Sequence, residues 1–207
     1  MIIANANARF WEERYQSANM PWDRGGTSPA LLMWLDAGAL TPCRVLIPGC
    51  GRGHEVLELA RRGFDVTALD IAPSAVGHLQ DELEKAGLEA HVVEADALTW
   101  APQSRFDAIY EQTCLCALPP DQWNAYAAQL HRWLKPDGKL FALFMQTNAT
   151  GGPPYHCDIS VMRTPFPNDQ WKWSEAPFCE VPHPAGFFEM AAVLTRKRAS
   201  ADASYAP

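Results

Sequence analysis

The stretch Val45-Leu46-Ile47-Pro48-Gly49-Cys50-Gly51-Arg52-Gly53 constrains this chain more than any other. An apolar run of strand type ends there in three glycines spaced two apart, and a helical pattern begins at about His54. Glycine is needed where the backbone takes torsions closed to other residues, or where a ligand comes so near that a Cβ would clash. Between the first strand and the first helix of an α/β unit, such a turn lies beneath a nucleotide-like ligand. The dinucleotide fingerprint requires its third glycine at position 54. His54 stands there, which disfavours a nicotinamide-type cradle.

From Arg44 onward, strand and helix patterns alternate. Strands are expected at 44–48, 65–71, 89–94, 106–112 and 139–145, with helices at about 54–62, from Pro73-Ser74 to Gly87, and from Pro119-Pro120-Asp121 to about Leu134. A strand broken by Pro177 is expected within 170–181, and a last one over 187–196, the two forming an antiparallel hairpin at a sheet edge. Alternation of this kind implies an α/β fold, doubly wound, with a mostly parallel seven-stranded Rossmann-like sheet and helices on both faces. Ligands of such sheets sit at the carboxyl ends of the strands. One domain is expected over 1–207, because this length suits a single α/β core and no interdomain linker is visible.

Residues 1–38 precede that core and read as a helical lid. Ala8–Tyr15 forms a short helix carrying Phe10, Trp11 and Tyr15; Met20–Gly26 is irregular; Ser28-Pro29 opens a second helix closed near Gly38. The eight tryptophans cluster early (11, 22, 34) and late (171, 173), a pattern that suggests an aromatic cover over something apolar. A lid of this kind excludes water from a transfer reaction. The polar, Gly/Pro-rich loop Thr147–His156 follows a strand's carboxyl end, where function concentrates. The Ala/Ser-rich tail from Ala199 is expected to be disordered.

Composition narrows the partners. A net charge of -7 argues against a nucleic-acid backbone or an anionic membrane. No apolar run approaches the ~20 residues of a membrane span, and Met1–Asn7 lacks the features of a signal peptide, so the cytoplasm and a monomer are expected. Six cysteines (43, 50, 114, 116, 157, 179) show no zinc spacing. Cys114-x-Cys116, read as a strand, would put both thiols on one face as buried or pocket-lining groups rather than metal ligands.

Asp70 ends the second strand, where an acid in nucleoside-binding domains accepts hydrogen bonds from ribose hydroxyls. Asp96-Ala97 ends the third, where a carboxylate and a backbone amide meet an adenine edge.

Gly-x-Gly-x-Gly resembles the first motif of class I S-adenosylmethionine (SAM) methyltransferases. Phe10-Trp11-Glu12-Glu13-Arg14-Tyr15, Pro21-Trp22-Asp23, Pro48-Gly49-Cys50-Gly51 and Glu111-Gln112-Thr113-Cys114-Leu115-Cys116-Ala117-Leu118-Pro119-Pro120 together resemble the thiopurine S-methyltransferase family, with its thiol and halide methyltransferase branch. Gly152-Pro153-Pro154-Tyr155 is similar to that family's substrate-side loop. The resemblance implies SAM as cofactor, held by Trp11, Tyr15, Trp22, Gly49, Gly51, Asp70, Ile71, Asp96, Ala97 and Gln112, with a small molecule as acceptor. Tyr15 replaces the tryptophan usual there, and Glu111-Gln112 replaces the Asp-Arg of thiopurine-type members, which turns the expectation towards a small thiol. Tyr155 and His156 are the catalytic candidates on the acceptor loop. A thiol with pKa ~8.5 is partly ionised near neutrality and needs no dedicated base. Methylation of oxygen, nitrogen or halide, and binding of SAM without turnover, remain alternatives.

Overall fold

The computed structural model describes residues 4–198, with side chains from Asn7, so the tail expected to be disordered lies outside the described residues. The described residues divide into two compact units, one formed by residues up to 100 with 182–186, the other by 101–181 with those from 187 on.

In the first unit, β1 (Arg44–Pro48), β2 (Asp65–Asp70) and β3 (His91–Glu94) run parallel in the order β3-β2-β1. β1 and β2 are buried along nearly their whole length, the mark of a strand covered on both faces. α3 (His54–Arg61) and α4 (Pro73–Ala86) follow the first two strands and rest on the sheet through Val56, Leu59, Leu79 and Leu83. Gly87, at φ +62, ends α4 in a left-handed cap. Ahead of the sheet come α1 (Ala4–Gln16) and α2 (Pro29–Asp36); Ser28 caps α2 by accepting from the Ala30 amide. The Glu12 carboxylate fastens α1 to the start of α4 by accepting from the Ser74 amide at 2.9 Å and from its hydroxyl.

The second unit holds β4 (Phe106–Gln112), β5 (Leu134–Gln146), β6 (Trp171–Trp173), β7 (Cys179–Pro182, but for its last residue) and β8 (Phe188–Arg196). β4 and β5 are parallel, while β8 runs antiparallel between β5 and β6 and also pairs with β7. The single late strand expected over 170–181 is therefore two, β6 and β7, because the segment around Pro177 leaves the ladder. Among the described residues this makes eight strands where seven were expected. Residues 135–138 interrupt the pairing of β4 with β5 as a register shift, with Asp137 at φ +64. The helices are α5 (Cys114–Ala117), α6 (Trp123–Trp133) and α7 (Ile159–Met162). Cys114 and Cys116 thus lie on a helix, where residues two apart do not share a face. The late tryptophans form core rather than cover. Trp173 stacks on Phe144 at 5.6 Å, and Phe166 meets Trp171 at 5.7 Å. Among the described residues, no helix is long and apolar enough to cross a membrane.

Candidate active site

The turn after β1 is built by its glycines. Gly49, Gly51 and Gly53 all have positive φ, which a Cβ would strain. A Cβ on Gly53 would fall 2.3 Å from a methyl of buried Leu79, so this glycine lets the start of α3 lie against α4. A Cβ on Gly51 would come to 3.2 Å from the Tyr15 hydroxyl. The Cys50 amide donates to the Leu69 carbonyl at 3.0 Å, tying the turn to β2.

Asp70 holds this turn in place. The Gly51 amide donates to its Oδ2 at 2.9 Å and the Ala72 amide to its Oδ1 at 2.9 Å, with the Ile71 amide adding a further bond. Burial raises its pKa above the ordinary carboxylate value, and those amides oppose the rise only in part. An ionised carboxylate has about four acceptor positions, so the group can take further donors. Asp70 and the ends of β2 and β3 come together through the Ala95 amide, which donates to the Asp70 carbonyl at 2.9 Å. Asp96 follows directly; its Oδ1 accepts from the Leu98 amide at 2.8 Å and so caps the turn that holds Ala97.

Three rings gather beside the turn. Trp22 meets Trp11 edge-on at 5.4 Å and Tyr15 at 5.9 Å. Burial, and next the charge of Asp70, push the Tyr15 phenol far above its usual pKa, while a hydrogen bond from the Trp22 side chain opposes them. The turn glycines, Asp70, Ile71, Asp96, Ala97, Trp11, Tyr15 and Trp22 all belong to the first unit.

The remaining candidates belong to the second unit. Gln112 ends β4 with its amide engaged at both ends. The Tyr110 hydroxyl donates to its Oε1 at 2.8 Å, and its Nε2 donates to Glu189 at 3.2 Å. Next to it, Thr113 has φ +63, a strained conformation for a β-branched residue and a frequent mark of functional sites. Buried Glu111 accepts from the Leu115 amide at 2.6 Å and so holds the first turn of α5. Burial, joined by the charge of Glu189, pushes its pKa up to about 8.

α5 in turn carries the loop of Tyr155 and His156. The Tyr155 amide donates to the Cys116 carbonyl at 2.7 Å, and the Cys157 amide to the Met145 carbonyl at 2.8 Å. A Cβ on Gly152 would strike the Tyr155 ring at 2.6 Å, so the glycine gives that ring its seat. Burial raises the thiols of Cys116 and Cys157 well above the usual cysteine range, which marks them as unreactive. His156 Nδ1 faces the amides of Thr147 at 3.1 Å and Asn148 at 3.3 Å. Both are donors, so Nδ1 is the accepting nitrogen and its lone pair holds the loop closed. Residue types and local pattern bring out the glycines and strand-end acids. Glu111 and Glu189 lay hidden, because their pairing joins β4 to β8 with no periodic signal in between.

Known proteins resemble this chain in sequence and in fold. A family profile described as thiopurine S-methyltransferase matches residues 6–184. Thiocyanate methyltransferase 1 of Arabidopsis thaliana is 35% identical over 154 residues, covering 73% of this chain and 68% of that protein. The probable thiol methyltransferase 2 of the same plant is 34% identical over 163 residues, covering 77% and 72%. The crystal structure of Burkholderia thailandensis 1,6-didemethyltoxoflavin-N1-methyltransferase with bound 1,6-didemethyltoxoflavin and S-adenosylhomocysteine shares the fold. Its TM-score is 0.72 at 20% identity, covering 93% of this chain and 87% of that one.

Proposed function

This chain belongs to the thiopurine S-methyltransferase family, and on that premise we propose that it transfers a methyl group from SAM to the sulfur of a small-molecule thiol. The observation that carries the reading is Asp70, a buried carboxylate still short of donors beside a glycine turn shaped for close approach. Ribose hydroxyls are the donors such a group accepts, so Asp70, with the amide of Ile71, would take the ribose. Asp96 and Ala97 would take the adenine edge. Gly49 and Gly51 are assigned to the amino-acid tail, and Gln112 to the cofactor as well. Trp11, Tyr15 and Trp22 would cover the sulfonium with aromatic faces, which attract a cation. Residues 1–38 would serve as the lid of one methyltransferase domain.

Bound SAM supplies an already activated methyl group, so the protein's task is alignment and exclusion of water. Tyr155 is assigned to the acceptor, with its ring seated on Gly152. His156 is assigned to holding that loop, because the nitrogen able to take a proton is already committed to backbone amides. A thiol whose pKa is ~8.5 supplies enough thiolate without a base. Residues 110–118 and 146–158 carry no lysine or arginine to attract an anion. This charge pattern suits an uncharged thiol better than an anionic acceptor such as thiocyanate or halide. We also place the protein in the cytoplasm as a monomer without nucleic-acid partners, in keeping with its net charge of -7.

The test is a panel of alkyl and aryl thiols, thiopurines, thiocyanate, iodide and phenols, incubated with labelled SAM and scored by methylated product. Thioethers from simple thiols are expected as the main products. Transfer confined to halide, oxygen or nitrogen acceptors would overturn the reading.

A further inference from the structure

We propose that Asp23 and His54 are positioning residues for cofactor binding, their hydrogen bond clasping the segment that bears Trp22 onto the glycine turn. The inference rests on the function proposed above. Asp23 follows Trp22 directly, and His54 is the first residue of α3, directly after Gly53. His54 Nε2 lies 2.9 Å from Asp23 Oδ1, and the same oxygen accepts from the Gly25 amide at 2.8 Å. Asp23 Oδ2 faces Arg52 Nε, from within the turn itself, at 3.5 Å. The hydrogen bonds to Asp23 hold its carboxyl below the ordinary aspartate pKa despite burial, so the group is an anion.

The rest of the segment is tied to the same place. The Ser28 amide donates to Glu55 at 2.9 Å, and the Thr27 hydroxyl to the His54 carbonyl at 3.5 Å. Residues 23–28 are thus stapled by polar contacts to the first turn of α3, the turn that completes the ligand loop. Trp22, at the near end of the staple, is the ring through which Trp11 and Tyr15 meet. Asp23 and His54 are only partly shielded, with 19% and 28% of their side chains exposed, so neither is a core element whose loss would collapse the unit. Their interaction fixes where an aromatic ring stands relative to Gly51. That is a task of geometry.

The experiment is calorimetric titration of S-adenosylhomocysteine into the full-length wild type, Asp23→Asn, His54→Ala, His54→Gln and the Asp23→Asn/His54→Ala double variant, with thermal melts alongside. Each of the first two substitutions should weaken binding about tenfold. The double should be no weaker than the poorer single, since both remove one shared contact. His54→Gln, which keeps a side-chain donor, should recover most of the loss, a rescue that general destabilisation would not produce. Should Asp23→Asn not fold, the contrast between His54→Ala and His54→Gln decides alone. Variants binding within twofold of a wild type that itself binds, or losses that add in the double, overturn the clasp while leaving the proposed function intact. A wild type that takes up no S-adenosylhomocysteine overturns the function, and the clasp with it.

Discussion

Asp70 closes β2 in the first unit, and Glu111 stands one residue from the end of β4 in the second; both are shut away from solvent, yet the backbone treats them differently. Each oxygen of Asp70 receives an amide from a neighbouring turn. Glu111 is served on Oε1, while its Oε2 has no hydrogen-bond partner among the described residues, and the Glu189 carboxylate lies near. Burial raises the pKa of both. In Asp70 three amides, spread over both oxygens, oppose burial and the charge of Glu12. In Glu111 the Leu115 and Cys114 amides oppose burial and the charge of Glu189, yet the pKa stays at about 8, so it holds a proton at neutral pH. Strand-end acids in one fold are therefore not interchangeable, and the difference lies in the donors around them.

The comparison can be broken most directly at Glu111. Its native pKa of about 8 exceeds the ordinary 4.5. The stability it contributes is therefore fully present below pH 4.5 and is lost as pH rises through 8. Urea unfolding of the wild type should lose up to about 1.4 kcal/mol per pH unit between those limits. Glu111→Gln should flatten that slope while still accepting from the Leu115 amide. Parallel pH profiles in the two proteins would show that Glu111 ionises like an ordinary surface acid.

Asp70 should respond in the opposite sense on binding. Asp70→Ala should weaken S-adenosylhomocysteine at least tenfold, roughly 1.4 kcal/mol. It should also cost about 1–3 kcal/mol of stability, because the Gly51 and Ala72 amides lose their acceptor. Wild-type affinity should fall as acidification protonates Asp70, starting above its ordinary pKa of 3.8, whereas Asp70→Asn should lack this dependence. Calorimetry across pH 4 to 8 checks both; unchanged affinity in the alanine variant would refute the ribose assignment.

Gly53→Ala sharpens the claim that the first unit's order is set by backbone. Positive φ and the contact with Leu79 should together cost about 1–3 kcal/mol, read as a lower denaturation midpoint. The smallest effect is expected at His156. His156→Ala removes a loop staple but no base, so thiol methylation should fall less than tenfold. A loss beyond about a hundredfold, the general-base range, would reassign it to proton transfer.

Much of this architecture was legible before any coordinates. Three glycines, an apolar run before them and acids at strand ends are local signals, and Gly51, Asp70 and Asp96 could be singled out because each depends on its position within one strand-turn-helix unit. Other features were not legible, for a physical reason. The helix at Cys114–Ala117 is too short to show a period; it forms because Thr113 turns left-handed and the Glu111 carboxylate holds its first amides. The late tryptophans read as cover from the sequence, and only their packing on Phe144 and Phe166 shows them to be core.

The sequence by itself determined the α/β alternation, the glycine turn and the acid that ends β2, since these arise from hydrophobic period and glycine torsions within a few residues. Tertiary structure alone decided the clasp of Asp23 on His54, 31 positions apart, the tie of Glu12 to Ser74 across 62, and the link from Gln112 to Glu189 across 77. A polar contact at such separation leaves no periodic trace in the chain, because it exists only after hydrophobic burial has brought the elements together.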